Sequence, residues 1–243
     1  MTDQAPLEPA YVLHRRAYRE TSLLIELLSP SRGRVGVVAR GARGPKSRWR
    51  GTLEPFQSLF VSLGGRGELA TLRRAEPAGR RLTLPAERLA SAFYVNELIM
   101  RLLRRNDPAA EVFAAYAEVV GGLVDSTRDE AQLLRWFELQ LLRLLGYGLS
   151  LEQTVLGQAV DPGAWYRYRP GVGLEPATGS GADVCRGDAV LALSGGNPAD
   201  PGLYRQARRI TAAALAPLLG HRPLESRRLH RGRPSTGAGH DTP

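Results

Sequence analysis

The sequence predicts an α+β protein, with a small five-stranded β-barrel at the N-terminus followed by a C-terminal α-helical domain. Residues 1–80 hold short alternating segments separated by Gly- and Pro-containing turns. Beyond residue 86, apolar residues recur at helical spacing instead. We therefore expect one domain over 1–80, a second over 81–230 and a disordered tail over 231–243.

The five predicted strands are short and closely spaced. In the second, Leu23, Ile25 and Leu27 alternate with other residues and so share one face. The chain between strands is too short for the crossover helices that parallel neighbours need, so the sheet should be mostly antiparallel. Five such strands favour a nearly closed barrel, for which the OB-fold is the natural candidate. The predicted strands cover 11–15, 21–28, 34–40, 53–63 and 68–76.

The remaining chain contains several helix signals. Asp107-Pro108 is typical of a helix start, and the residues around Thr127 form a capping box with Glu130. Residues 157–187 are rich in Gly and Pro and have few apolar positions, which predicts a long irregular segment. The predicted helices cover 86–105, 108–120, the stretch from the Thr127 capping box to 145, and 201–220.

The positive charge is concentrated in the first third of the chain. The formal net charge is +9, and residues 1–80 hold 14 basic against 7 acidic side chains. Such an excess favours a polyanionic partner, above all nucleic acid. All basic residues except Lys46 are arginines. A GC-rich genome would favour arginine codons, but this bias does not explain where the arginines lie.

The strongest local signal is the segment from residue 40 to residue 50, between the third and fourth predicted strands. It has five basic side chains, no acidic one and a tryptophan, Trp49. Basic clusters of this kind neutralise phosphates and release counterions. Trp49 would either stack on an unpaired base or pack back against the barrel. The basic residues are Arg40, Arg43, Lys46, Arg48 and Arg50.

Further arginines flank two predicted turns. Arg15, Arg16 and Arg19 lie at the first turn, and Arg32 and Arg34 lie at the second. At the ends of a small barrel they would join the 40–50 segment in one basic surface. The alternative is that they are scattered surface charges.

Signals for catalysis or metal binding are scarce. His14, His221, His230 and His240 lack metal-ligand spacing, and a single cysteine, Cys185, can close neither a disulfide nor a cysteine-based zinc site. No phosphate-loop motif occurs. We expect a non-enzymatic protein without a cofactor. The N-terminus has no signal-peptide pattern and no apolar run is long enough for a membrane span, so we expect a cytoplasmic protein.

Several stretches together are very similar to the RecO family of bacterial recombination mediators. The N-terminal pattern is the most specific, running from Tyr11-Val-Leu-His-Arg-Arg16 through Tyr18-Arg-Glu-Thr-Ser-Leu-Leu24 to Gly33-Arg-Val-Gly-Val-Val-Ala-Arg-Gly-Ala-Arg43-Gly-Pro-Lys-Ser-Arg48. Weaker matches follow at Leu53-Glu-Pro-Phe56, Phe93-Tyr-Val-Asn-Glu-Leu98, Arg135-Trp-Phe-Glu-Leu139, Leu145-Gly-Tyr-Gly148 and Arg222-Pro-Leu-Glu-Ser-Arg227. The resemblance covers about residues 10 to 230.

The resemblance implies an N-terminal OB-fold, a helical domain, and binding and annealing of single- and double-stranded DNA. It implies action with RecR to load RecA onto DNA coated by single-stranded-DNA-binding protein. It also implies that the helical domain can dock that protein's acidic, Phe-ended tail, with Arg135 as the candidate to meet the acidic end. For Phe137 we expect a place in the core, and a contact role is the alternative. Many relatives carry four zinc-binding cysteines after the match at residues 145–148, whereas this chain has only Cys185.

Two other functions remain open from the residues themselves. One is an RNA-binding or ribosome-associated module, because OB-folds serve both nucleic acids. The other is a nucleic-acid-processing enzyme, which the missing metal constellation disfavours.

Overall fold

The N-terminal strands form a closed barrel, which confirms the predicted fold class. The computed structural model describes residues 6–65, 67–179, 181–195, 200 and 202–226. The barrel order is β1-β2-β3-β5-β4, with β1 also pairing with β4. Within the barrel, β3 and β5 pair in parallel. The strands are β1 (Glu8–Tyr18), β2 (Ser22–Ser29), β3 (Gly33–Ala39), β4 (Ser58–Gly64) and β5 (Leu69–Pro77).

Apolar residues at alternate positions along the strands fill the interior of the barrel. Leu23, Ile25 and Leu27 of β2 are paired with Ala39, Val37 and Val35 of β3, and these rows point into the barrel core. The fourth strand is shorter than predicted. It begins at Ser58, because Phe56 has a φ of 69° and breaks the extended conformation. Phe56 packs instead on Phe93, with ring centroids 5.0 Å apart.

Helices make up most of the second domain. A short 3-10 turn at Ala86–Arg88 leads into α1. The cap of α3 is Asp129 and not Thr127 of the predicted capping box, because the Asp129 carboxylate accepts a hydrogen bond from the Gln132 backbone N–H at 2.7 Å. Thr127 instead donates its hydroxyl to Asp125. None of the described helices has the length and apolarity needed to cross a bilayer. The helices are α1 (Leu89–Leu102), α2 (Ala110–Val124), α3 (Glu130–Leu144), α4 (Gly187–Leu193) and α5 (Gly202–Leu219).

The loop between α1 and α2 is tied to the barrel. The Asn106 N–H donates to the Arg34 carbonyl at 2.8 Å, and the Ala109 N–H donates to the Pro30 carbonyl at 3.1 Å. These bonds hold the chain outside helical geometry, so α2 begins at Ala110 and not at the predicted Asp107-Pro108 start. The β2–β3 turn therefore faces the helical domain.

The prediction of an irregular segment over 157–187 is wrong. This stretch contains a three-stranded antiparallel sheet of order β7-β6-β8. Each strand contributes very few buried residues, namely Tyr166, Leu174 and the pair Val184 and Cys185, so a short alternating pattern was hidden among glycines and prolines. The sheet packs on α4 and α5 through a core of its own. The strands are β6 (Trp165–Arg169), β7 (Gly173–Ala177) and β8 (Val184–Arg186).

The expected tail over 231–243 lies outside the described residues.

Candidate nucleic-acid interface

The β1–β2 turn and the 40–50 segment lie at the same end of the barrel. In an antiparallel meander, alternate connections fall at the same end, so the β1–β2 and β3–β4 connections are neighbours. The Arg43 N–H donates to the Thr21 carbonyl at 2.8 Å. Its guanidinium donates to the carbonyls of Arg19 at 3.3 Å and Glu20 at 3.2 Å. The structure thus brings two groups of predicted basic residues together.

The 40–50 segment folds as a run of tight turns. The N–H groups of Gly44, Ser47 and Arg50 each donate to the carbonyl three residues earlier, at 3.2, 3.1 and 3.3 Å. Arg48 extends this framework by donating to the Arg73 carbonyl on β5 at 3.0 Å. The basic side chains therefore project from a backbone that is ordered by hydrogen bonds.

Trp49 packs into the barrel end. Its side chain is 6% exposed and belongs to the barrel core with Ala39 and Leu53. Its indole N–H donates to the Arg40 carbonyl at 3.3 Å, and the Arg48 guanidinium lies 4.3 Å from the ring centroid. The sequence left two alternatives for Trp49, stacking on a base or packing against the barrel, and the structure shows packing. The predicted stacking of Trp49 on a base is therefore wrong, because the residue is buried and the Arg48 guanidinium lies over its ring.

Arg34 lies away from this end, which corrects its expected place in the basic surface. The β2–β3 turn is at the opposite end of the meander, where it meets the helical domain. The Arg34 side chain donates to Glu26 at 2.9 Å and to the Met100 carbonyl. Arg105 pairs with the same Glu26 carboxylate. Arg34 therefore holds the two domains together.

The other basic residues at this end differ in how far their charge remains available. Arg15 pairs with Glu54 at 2.6 Å and is neutralised in part. Arg43 and Arg48 donate to carbonyls, which orient a guanidinium without cancelling its charge. A third group is exposed and makes no side-chain hydrogen bond or ion pair with the part of the chain that the structure describes. This group is Arg16, Arg40, Lys46 and Arg50, and we call these four residues the free cations.

A second feature is a pocket of about 590 Å³ beside α3 in the helical domain. Its wall is mixed, with apolar surface from Trp136 and Leu139 and polar side chains at the rim. Arg143 is exposed there, and its Nε donates to Gln140 at 3.2 Å. The sequence did not identify Arg143 as a functional residue, since a single arginine in a leucine-rich helix forms no distinctive pattern.

Arg135 borders this pocket, but its charge is already paired. Its side chain is 4% exposed and its Nε donates to Glu138 at 2.6 Å. The two residues are three positions apart on α3 and so lie on the same face. Tyr94 also donates to Glu138, at 2.6 Å, and burial followed by this carboxylate raises the pKa of Tyr94 well above its ordinary value. The contact of Arg135 with an acidic tail therefore stays a prediction, with the charge of Arg135 already balanced inside the chain. Phe137 is fully buried, as expected.

Fold and site together define a class of protein, in which a closed OB-like barrel with one strongly basic end packs against a helical domain. Comparison of the sequence with known protein families identifies one family within this class. The family described as "Recombination protein O N terminal" matches residues 5–81, and "Recombination protein O C terminal" matches residues 86–228. The chain belongs to the RecO family of DNA repair proteins.

Curated relatives agree over nearly the whole chain. A protein of Alkalilimnicola ehrlichii named "DNA repair protein RecO" is 47% identical over 234 residues, covering 94% of this chain and 92% of the relative. Proteins of the same name from Nitrosococcus oceani and Methylococcus capsulatus are each 43% identical, over 227 and 228 residues. The match to the Nitrosococcus oceani protein covers 92% of this chain and 92% of the relative, and the match to the Methylococcus capsulatus protein covers 93% of each.

Proposed function

We propose that this chain is a non-enzymatic mediator of DNA repair and recombination, which binds single- and double-stranded DNA and anneals complementary strands. With RecR it would help to load RecA onto DNA coated by single-stranded-DNA-binding protein. The observation that carries this proposal is the basic barrel end. There Arg43 joins the β1–β2 turn to the 40–50 segment, and the free cations lie on β1 and along this segment.

The physical basis of annealing at this site is electrostatic. Two DNA strands repel each other through their phosphates, and cations held at fixed positions lower that repulsion so that bases can pair. Phosphate neutralisation releases counterions, which makes binding steeply dependent on salt. No bond is made or broken in this step.

The proposed DNA contacts are the exposed basic residues of the barrel end. Arg43 and Arg48 contribute charge from positions fixed by their carbonyl partners. Arg19 is exposed on the adjoining turn. The free cations complete the set, while Arg15 contributes less because Glu54 pairs with it. Trp49 supports this surface from inside the barrel.

A salt series of annealing tests the proposal. Two complementary oligonucleotides are each coated with the cognate single-stranded-DNA-binding protein and mixed with or without this protein. We expect salt-sensitive acceleration. Replacing Arg40, Lys46 and Arg50 together with alanine should reduce the slope of log affinity against log salt by roughly 2. The matched control removes the same charge from exposed positions of the helical domain, with Arg104, Arg128 and Arg222 replaced by alanine.

The control variant should keep the slope and the annealing rate of the unmodified chain. If both variants lose slope equally, or if neither does, the barrel end is not the DNA site. Competition between DNA and RNA oligomers of the same sequence is run alongside. Preference for RNA would move the RNA-binding alternative ahead of the mediator.

For the helical domain, the proposed partner is the acidic, Phe-ended tail of single-stranded-DNA-binding protein. The pocket beside α3 offers Trp136 and Leu139 to an aromatic ring and Arg143 to carboxylates. Arg135 has its charge paired with Glu138, so Arg143 is the better placed cation.

A fluorescent tail peptide measures this contact by anisotropy. Arg143→Ala should weaken peptide binding, and amidation of the peptide's terminal carboxylate should weaken it as well. Arg167→Ala, on the small sheet, serves as the control because Arg167 pairs with Asp183. Unchanged peptide affinity in Arg143→Ala, together with unchanged thermal stability, would exclude Arg143.

A further inference from the structure

An aromatic ring lies on the outer face of the barrel beside the basic end. The register pairs Tyr18 of β1 with Ser22 of β2, and two residues earlier pairs Arg16 with Leu24. Paired residues of adjacent strands point to the same side of a sheet. Ile25 and Leu27 fill the barrel, so Leu24 and its row face outward. Tyr18 is half-buried on that face and Arg16 is exposed.

The residue after Tyr18 has an unusual backbone. Arg19 has a φ of 52°, in the left-handed region that favours glycine, although it carries a long side chain. Its guanidinium carbon lies 5.3 Å from the Tyr18 ring centroid. Its carbonyl accepts a hydrogen bond from Arg43, so the 40–50 segment holds the turn in this conformation. Strained backbone of this kind concentrates at functional sites.

We propose that Tyr18 and Arg19 form a stacking platform for one unpaired base, which lets the barrel end distinguish single strands from duplex. The inference rests on the proposed DNA-binding function. The Arg19 guanidinium lies over the Tyr18 ring, so the pair offers a base a planar cation backed by an aromatic π-face. A duplex hides its base faces in the stack, so it gains only the phosphate contacts of the surrounding cations.

Exposed cations lie on two sides of the ring. Leu24 pairs with Val38 of β3, and both lie on the outward side of the sheet beyond Arg16. Leu24 is only 7% exposed, so this row supports the surface from beneath and is not itself open to a base. A base seated on Tyr18 would have Arg16 on one flank and Arg40 just after the end of β3.

Another exposed ring on the barrel provides a comparison. Phe60 of β4 is 43% exposed. It pairs with Glu76, itself bonded to Arg74, on one side and with Pro9 on the other. Pro9 lies near the start of β1 and Tyr18 ends this strand, so the Phe60 ring is far from the basic end and is a suitable control.

The first test measures binding of an oligothymidine and of a duplex of the same length, across a salt series. Tyr18→Ala should lower single-strand affinity by roughly five- to 150-fold and leave duplex affinity unchanged. The salt slope should stay the same, because tyrosine carries no charge. Tyr18→Phe should keep the affinity, since the ring remains, and Phe60→Ala should have no effect. Equal losses for single strand and duplex, or no loss in Tyr18→Ala, would overturn the platform.

A second variant separates stacking from folding. Arg19→Gly removes the penalty of the positive φ, so its melting temperature should match or exceed that of the unmodified chain. Single-strand affinity should nevertheless fall. A variant that is at least as stable and binds the single strand as before would show that Arg19 serves the turn alone.

The outcome is distinguishable from failure of the proposed function. If the Arg40, Lys46 and Arg50 variant keeps full DNA binding, the barrel end is not the DNA site, and the platform falls with it. If that variant loses binding while Tyr18→Ala does not, the DNA site stands and the platform alone is overturned. Photo-crosslinking with 5-iodouracil oligonucleotides adds a direct readout. A crosslink at Tyr18 supports the platform, and one at Phe60 instead contradicts it.

Discussion

Asn96 of α1 donates its side-chain amide to the Leu13 carbonyl of β1 at 2.6 Å, which joins the helical domain to the barrel through a buried bond. Tyr116 of α2 donates its hydroxyl to the Asn96 side-chain oxygen, also at 2.6 Å. Asn96 is 2% exposed and Tyr116 is fully buried. Burial raises the pKa of Tyr116 well above its ordinary value, so the hydroxyl keeps its proton and remains a donor.

The first prediction concerns this chain of bonds. Asn96→Leu leaves the Leu13 carbonyl and the Tyr116 hydroxyl without partners, and should lower the free energy of unfolding by about 2–4 kcal/mol. Tyr116→Phe removes only the second bond and should cost about 1–2 kcal/mol. Urea unfolding followed by circular dichroism measures both. If Asn96→Leu is as stable as the unmodified chain, the bonds do not hold the domains.

The second prediction concerns the buried pair beneath the pocket. Arg135→Ala leaves the Glu138 carboxylate uncompensated in the core, and should lower the free energy of unfolding by about 3–5 kcal/mol. Replacing the pair with Arg135→Met and Glu138→Leu should recover much of that loss, because no charge stays buried.

Tyr94 provides an internal control for these Arg135 and Glu138 variants. It donates to Glu138, so the double variant leaves its hydroxyl without that acceptor. Adding Tyr94→Phe should stabilise the double variant further. A double variant no more stable than Arg135→Ala would show that the carboxylate is not what makes the single substitution costly.

The third prediction uses the single cysteine. Burial raises the pKa of Cys185 to about 11, and the side chain is fully enclosed in the core of the small sheet. The reactive form of a cysteine is the thiolate. Labelling with iodoacetamide at neutral pH should therefore be very slow in the native chain and fast in urea. Mass spectrometry counts the label, and Cys185→Ser gives the background. Equal rates in both states would contradict the buried sheet.

The fourth prediction concerns acid stability. Burial acts to raise the pKa of Glu97, but hydrogen bonds from the Ser226 and Glu225 backbone, the Ser226 hydroxyl and the nearby Arg101 outweigh it and lower the pKa overall. A lowered folded-state pKa adds stability above the unfolded-state value, and this is lost as pH falls through the folded-state value.

Comparison with Glu97→Gln tests this sign. The unmodified chain should be the more stable near neutral pH, and the difference should shrink as the pH is lowered below the ordinary glutamate pKa of about 4. Ser226→Ala removes one of the lowering hydrogen bonds and should reproduce part of the effect. A difference that stays constant across the acid range would show that Glu97 does not change its protonation on unfolding.

Local sequence patterns were sufficient to predict the barrel. Alternation at Leu23, Ile25 and Leu27 placed these residues inside, and the structure has them in the barrel core. The helices over 89–102 and 130–144 follow the predicted spacing closely. Both kinds of pattern arise from contacts within a few residues, which is why a single sequence displays them.

The sequence predicted which stretches of the chain are rich in basic residues, but not where each basic side chain lies or what it contacts. Sequence reasoning placed Arg34 among the DNA contacts and left Trp49 open. Their surroundings come from distant chain, since Arg34 binds the Met100 carbonyl 66 residues away. The direction of a guanidinium depends on which acceptors the fold brings to it, and no local pattern encodes that.

The sequence by itself determined the family, the barrel, the main helices and the concentration of charge in the first third of the chain. Only the tertiary structure decided which cations are free, that Glu138 neutralises Arg135, and that Tyr18 shares an outward face with Arg16. The small sheet over 165–186 also belongs to this second group. The physical reason is that strand register and ion pairing are set by contacts between segments far apart in the chain, whereas alternation and charge content can be read locally.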